Sequence, residues 1–255
     1  MKTFMSEFLT DYTTYTFGYT KYAIAESHSE LDVIYGQGFL PYTGNLTLDQ
    51  NIFYFCRSLR VDLASFEHNS ENRRVLKRIE PLNIEVVIHD KSSFDFTNPE
   101  FEDFCIAYTH SRFYHEGMST ERFRYVMSRS YANKIFEFRS EGKVIGYTLA
   151  VVTETFMHHW FCFFETELMN DQIPLGKYLM QFTIDRSKKQ WLQYAYLWTC
   201  YKETGLYKVR DFKGVEFWDG NVRSKDTELI RVLCRTDNET KYKDNFKNNP
   251  AYYLS

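Results

Sequence analysis

The chain has 255 residues, 44% hydrophobic and 25% charged, with a net charge of −3. This is the balance of one or two folded domains, and it excludes a wholly disordered chain, a collagen-like repeat and a uniformly basic nucleic-acid binder. No apolar run approaches the roughly 20 residues that span a bilayer. The first 17 residues contain no apolar signal core, so a cytoplasmic protein without a membrane or DNA partner is expected. The five cysteines (56, 105, 162, 200 and 234) form no CxxC pair, so no metal site and no local disulfide framework is expected. Aromatic content is high, at 18%. Most of it falls where core packing explains it, as at Phe136, Phe138, Phe161, Phe163, Tyr194 and Tyr196.

In chain order, Tyr19–Ala25 and Leu31–Tyr35 read as strands, with turns at 36–38 and 41–44. Ser58–Phe66 alternates apolar Leu59, Val61 and Leu63 with Ser58, Arg60 and Asp62, the period of a half-buried strand. Ser70 is placed as the cap of a helix through Ile79, and Ile84–His89 as another strand. The polar stretch 90–99 is the candidate boundary between an N-terminal domain (1–95) and a C-terminal one (96–255). Helices are expected over Pro99–His110 and Thr120–Ser128. Strands follow at Lys134–Arg139, Val144–Val152 and Phe156–Phe164, joined by links short enough for hairpins. Pro174 opens a long amphipathic helix. A strand at Leu192–Thr199, a short helix at Leu206–Phe212 and a strand at Val215–Trp218 complete the order.

The expected class is therefore α+β, with a mixed, mainly antiparallel sheet flanked by helices and a smaller N-terminal α/β domain. From Pro99 onward the element order, α–α–β–β–β–α–β–α–β, resembles the GNAT acetyltransferase fold. In such enzymes the loop before the long helix resembles Q/R-x-x-G-x-G/A, whose backbone amides hold a pyrophosphate. Here the stretch 170–177 reads NDQIPLGK, with one glycine, a proline lacking an N–H, and an acid. Acetyl-CoA binding is disfavoured.

More specific residues point elsewhere. Cys56-Arg57-Ser58-Leu59-Arg60-Val61, followed by Ser70 to Arg78 (SENRRVLKR), resembles the C-x-x-x-R-[VI]…S-x-x-Q-R-R-x-[LI]-[RK]-R block of arginyl-tRNA–protein transferases, which bacterial leucyl-transferring relatives share. Tyr108 to Met118, Phe136 to Arg139, Gly142 to Gly146, Phe163-Phe164-Glu165, Leu175-Gly176, Tyr194 to Leu197 and Tyr207-Lys208 are similar, in order, to further motifs of that family. Together they span residues 18 to 218. The departures are several. The family's cysteines upstream of Cys56 are missing, Phe113 stands for a His, Glu165 and Thr166 for Asp-Pro, and the segment from Leu197 to Tyr207 is shortened.

The resemblance implies an aminoacyltransferase. It would move an amino acid, Arg or Leu, from charged tRNA to the N-terminal amine of a protein or peptide that starts with an acidic residue, with aminoacyl-tRNA as co-substrate and no other cofactor. Glu165 is its candidate base or amine anchor, or equally a strand-end carboxylate facing water. Arg60, Arg73, Arg74, Lys77, Arg78 and Arg112 are candidates for the acidic acceptor side chain. The cations of 73–78 would alternatively meet the tRNA backbone, and Arg60 and Arg112 each suit a structural ion pair as well. Tyr108, Tyr207 and Lys208 are candidates for the aminoacyl end of tRNA, with Phe113 and Tyr114 as neighbouring rings. His158 and His159, adjacent on a strand, point to opposite faces and read as core or surface histidines rather than a metal pair. Two alternatives stay open: a GNAT acyltransferase using acyl-CoA on an amine, and a non-catalytic RNA- or peptide-binding module.

Overall fold

The structure, a computed structural model, describes residues 1–13, 15–113, 117–168 and 173–239. Its strands and helices pack as two units, one formed by residues 1–67 with the chain from 196 onward, the other by residues 68–195.

The first unit opens with β1 (Lys2–Asp11), β2 (Thr16–Ala25), α1 (Leu31–Gly36), β3 (Phe39–Pro41), β4 (Asn51–Phe55) and β5 (Ser58–Asp62). The first four strands make an antiparallel sheet in the order β1-β2-β4-β3. Leu31–Tyr35, expected as a strand from Val33 and Ile34, is instead the helix α1. Its buried residues Leu31, Ile34 and Tyr35 recur at i, i+3 and i+4, a helical period that overrides β-branched propensity.

The second unit contains α2 (Ser70–Ile79), β6 (Glu85–Asp90), α3 (Pro99–Phe113), α4 (Thr120–Ser128), β7 (Lys134–Ser140), β8 (Lys143–Val152), β9 (Phe156–Phe164) and α5 (Leu175–Lys189). Helix α2 is capped by Asn69, not by Ser70. The Asn69 side chain accepts from the Asn72 amide at 2.9 Å, and the Asn72 side chain accepts from the Asn69 amide at 3.1 Å. This reciprocal capping box satisfies two end amides at once. Strands β6 to β9 form an antiparallel meander. Its β7–β8 turn places Glu141 and Gly142 at φ of 50° and 76°, the paired positive values of a tight hairpin that a glycine makes easy.

Neighbouring residues of β9 face opposite sides of this meander. Phe164 joins Phe136, Phe138, Ile145, Leu175 and Leu179 in a core that also takes Ile79 from α2. Phe163 instead meets Phe123 of α4, with ring centroids 6.2 Å apart. Each such buried aromatic contributes about 2–3 kcal/mol of transfer free energy. His158 and His159 are both buried, as core histidines. Because the Thr183 hydroxyl donates to the Leu179 carbonyl, its 3.0 Å contact with His159 Nδ1 makes that nitrogen the donor.

The chain then returns to the first unit with β10 (Tyr194–Thr199), α6 (Tyr207–Asp211), β11 (Val215–Trp218), β12 (Arg223–Ser224) and α7 (Thr227–Glu239). There β5 lies between β10 and β11, and both β5–β11 and β11–β12 pair antiparallel. The class is the one expected, α+β with mainly antiparallel sheets flanked by helices.

Candidate functional site

In the second unit, three segments meet at the end of β9. The Glu165 amide donates to the Ile145 carbonyl at 2.9 Å, which carries the β8–β9 ladder one residue past β9. The Glu165 side chain is half-buried, and its Oε1 accepts from the Glu167 amide at 3.2 Å. A carboxylate held this way has a fixed direction and keeps free lone pairs. Helix α3 ends against the same spot. The Tyr108 ring lies 4.7 Å from Phe164 and 6.0 Å from Phe163, and the Ser111 and Thr166 hydroxyls are 3.3 Å apart. Arg112, next in the chain, is exposed and makes no ion pair among the described residues. The third segment is the start of α5. A side chain at Gly176 would place its Cβ 2.8 Å from the Phe164 ring, so packing favours a glycine here. The Leu175 amide is already bonded to the Ile173 carbonyl at 3.0 Å. Residues 170–172, the Phe113 side chain and Tyr114 lie outside the described residues.

Helix α2 carries the cation cluster. Val75 and Ile79 are buried, while Arg73, Arg74, Lys77 and Arg78 are exposed. Its inner side is fastened to α5 by polar contacts. Lys177 Nζ donates to Glu71 at 2.9 Å, Gln181 to the Asn72 carbonyl at 3.4 Å, and Asp185 meets His68 Nε2 at 2.7 Å. Arg74 also pairs with Glu71, and Arg73 donates to the His68 carbonyl at 2.7 Å. Lys77 has no ion pair among the described residues, so its ammonium is free for a ligand. The partners Lys177, Gln181 and Asp185 were not read from the sequence. Their signal was present, because spacing of four puts polar side chains on one stripe of a helix.

The remaining candidates belong to the first unit. Arg60 stands opposite Glu216 across β5 and β11 and donates to it through Nε at 2.8 Å, with Nη1 3.3 Å from the Tyr196 hydroxyl. Lys225 adds a second cation, 3.4 Å from Glu216. Its neighbour Arg57 is bound to Asp237 at 2.7 Å and lies 4.8 Å from the Tyr201 ring. Lys208 donates to the Thr199 carbonyl at 3.1 Å, and burial lowers its ammonium pKa to about 8. Tyr207 lines an open cleft of about 230 Å³ together with Glu203, Leu206, Arg210 and Arg231. The structure thus brings Tyr108, Arg112 and Glu165 to one end of the meander and the α2 cations to one helix of the same unit. Arg60, Tyr207 and Lys208 sit in the other unit.

No family model matches the sequence, and no curated protein matches it either. Solved structures do resemble it. One is L-PGS from Bacillus licheniformis, 14% identical, with a TM-score of 0.45 over 81% of this chain and 70% of that one. Another is the C-terminal domain of a protein assigned as a lysylphosphatidylglycerol synthetase from Agrobacterium fabrum, 13% identical with a TM-score of 0.42. That match covers 70% of this chain but only 54% of its counterpart. A third is an aminoglycoside acetyltransferase from an uncultured soil metagenomic sample, 14% identical with a TM-score of 0.35, covering 52% of this chain and 86% of that one. At such identities the likeness is one of fold, and no chemistry is carried over from it. Among the described residues, no helix is long and apolar enough to cross a membrane.

Proposed function

We propose that the chain is a divergent aminoacyl-tRNA–protein transferase of the arginyl/leucyl type, acting on acceptors that begin with an acidic residue. The observation that carries this reading is α2. The segment that resembles the family's basic block folds as a helix with its apolar side buried and its four cations exposed, a surface suited to phosphate or carboxylate. The site at the end of β9 adds what the chemistry needs. An aminoacyl ester is already activated, so the remaining tasks are to position it and to take a proton from an amine that is partly protonated at pH 7. Glu165 is the proposed base or ammonium anchor. Arg112 and the α2 cations are proposed for the acidic acceptor or the tRNA backbone, and Tyr108 for the aminoacyl end. Arg60, Tyr207 and Lys208 stay in this proposal as first-unit contributors, and the division into 1–95 and 96–255 goes with it.

The test is transfer of radiolabelled Arg or Leu from charged tRNA to peptides starting with Asp or Glu. Transfer to those peptides and not to neutral-start controls is expected. Failure with a full set of charged tRNAs and N-terminal residues would overturn the reading. Within an active protein, Glu165→Gln is expected to lower turnover about 100-fold, the lower range for loss of a general base. An acyl-CoA enzyme is the weaker reading, because Gly176 packs against Phe164 in the first turn of α5 and the Leu175 amide is already bonded to the Ile173 carbonyl. Micromolar acetyl-CoA binding by calorimetry would restore it.

A further inference from the structure

In the first unit, two of the five cysteines face each other. Cys200, directly after β10, and Cys234, on α7, have their sulfurs 3.6 Å apart, and both side chains are buried. The surroundings hold this pair in place. The Cys200 amide donates to the Arg57 carbonyl at 3.0 Å, Arg57 Nη1 donates back to the Cys200 carbonyl at 3.2 Å, and the same guanidinium bonds Asp237 on α7 at 2.7 Å. The Cys234 thiol also points to the Cys200 carbonyl, 3.7 Å away. A disulfide has its sulfurs about 2.05 Å apart, so this pair needs to close by only about 1.5 Å.

We propose that Cys200 and Cys234 are a redox-active dithiol that a peroxide oxidises to an intramolecular disulfide, cross-linking α7 to the end of β10. The remaining three cysteines are all buried or half-buried and are not part of this pair.

The electrostatics assign the order of events. The hydrogen bond from the Cys200 thiol, assisted by Arg57, holds the Cys234 thiol below its ordinary pKa. The same contact, followed by burial, pushes Cys200 up. Cys234, on the surface helix α7 and beside the Arg57 guanidinium, is the thiolate that attacks, and Cys200 the thiol that resolves. The Cys234 thiolate attacks one peroxide oxygen, the O–O bond breaks, and hydroxide leaves, giving a sulfenic acid. The Cys200 sulfur then attacks the sulfenic sulfur and the S–O bond breaks. The hydroxyl leaves as water, taking the Cys200 proton. In total, two thiols lose two electrons and two protons, and one peroxide becomes two waters. Peroxide suits the location because it is scarcely larger than water. Helix α7 lies at the surface along Arg231, Val232 and Arg235, and local opening of that helix gives access.

The test uses the whole protein, treated with hydrogen peroxide, quenched, denatured in excess alkylating reagent and digested with trypsin. A linked peptide joining 190–202 to 232–235 is expected, two hydrogens lighter than its parts and lost on treatment with dithiothreitol. Cys56, Cys105 and Cys162 should stay alkylatable at the same dose. The oxidised protein should also melt a few degrees higher, because the link shortens the unfolded chain's freedom. In Cys200→Ser, the Cys234 sulfenic acid should persist and be captured by dimedone. If that variant fails to fold, the wild-type peptide map decides alone. Cys200 and Cys234 remaining free, oxidising separately to sulfinic acids, or linking to other cysteines would each overturn the proposal.

Discussion

The arginines of the two units have different partners. In the first unit Arg57, Arg60 and Arg223 run inward. Arg57 is held by Asp237, Arg60 by Glu216, and Arg223 by the carbonyls of Ser58 at 2.9 Å and Tyr35 at 2.6 Å, over the rings of Tyr196 and Trp218. In the second unit Arg73, Arg74, Lys77 and Arg78 stand exposed on the outside of α2, where Arg74 pairs with Glu71 and Arg73 donates to the His68 carbonyl. All of these cations except Arg223 come from one basic run of the chain, residues 57 to 78. The run divides by burial. The buried cations of the first unit are bound to neighbours, whereas those of α2 lie exposed on the outer face of an amphipathic helix, where a ligand can reach them.

The largest effect should come from breaking an inward pair. Glu216→Ala leaves the Arg60 guanidinium largely buried without its carboxylate, and a loss of about 3 kcal/mol in urea unfolding is expected. Replacing both partners, Arg60→Met with Glu216→Leu, should recover most of that. If Glu216→Ala proves silent, the first-unit arginines are no more structural than those of α2. Lys208 comes next. Its folded pKa of about 8 lies below the ordinary 10.5. Between these values the unfolded chain binds a proton that the folded chain lacks, so stability rises with pH across that window and the penalty is complete below it. Lys208→Met should remove this rise and gain on the order of 1–2 kcal/mol at pH 7 after solvent screening, measured as unfolding midpoints from pH 6 to 10. Smaller still is the α2–α5 seam. Glu71→Ala frees Arg74 and Lys177 together and should cost at most about 1 kcal/mol, because the pair is partly exposed.

Much of this was legible in the sequence where the hydrophobic period was clear. Thr120–Ser128, Phe156–Phe164 and Val215–Trp218 form with the bounds their patterns imply. Strand β1 was not legible, because most of its residues are exposed and no buried face imposes a period of two. Helix α1 is only six residues long, too short for its period to stand out in the sequence against the β-branched Val33 and Ile34. At the candidate site, Tyr108, Arg112 and Glu165 stand out by motif. What fixes them is spread over distant segments, such as the hydroxyl contact of Ser111 with Thr166, and such pairings leave no local pattern. The cations of α2 could be counted from the chain, but how the helix is fastened depends on Lys177, Gln181 and Asp185, over a hundred positions away.

The most direct test of the account is the salt dependence of charged-tRNA binding by the wild type and by a Lys77→Ala, Arg78→Ala variant. Both substitutions are on the exposed side of α2 and should change stability by less than about 0.5 kcal/mol. Each lost phosphate contact lowers the slope of log K against log salt by roughly 0.7–0.9, so a fall of about 1.5 is expected, with weaker binding at every salt concentration. An unchanged slope in a folded variant, or no salt-dependent binding by the wild type, would contradict the assignment of α2 as the polyanion-facing surface.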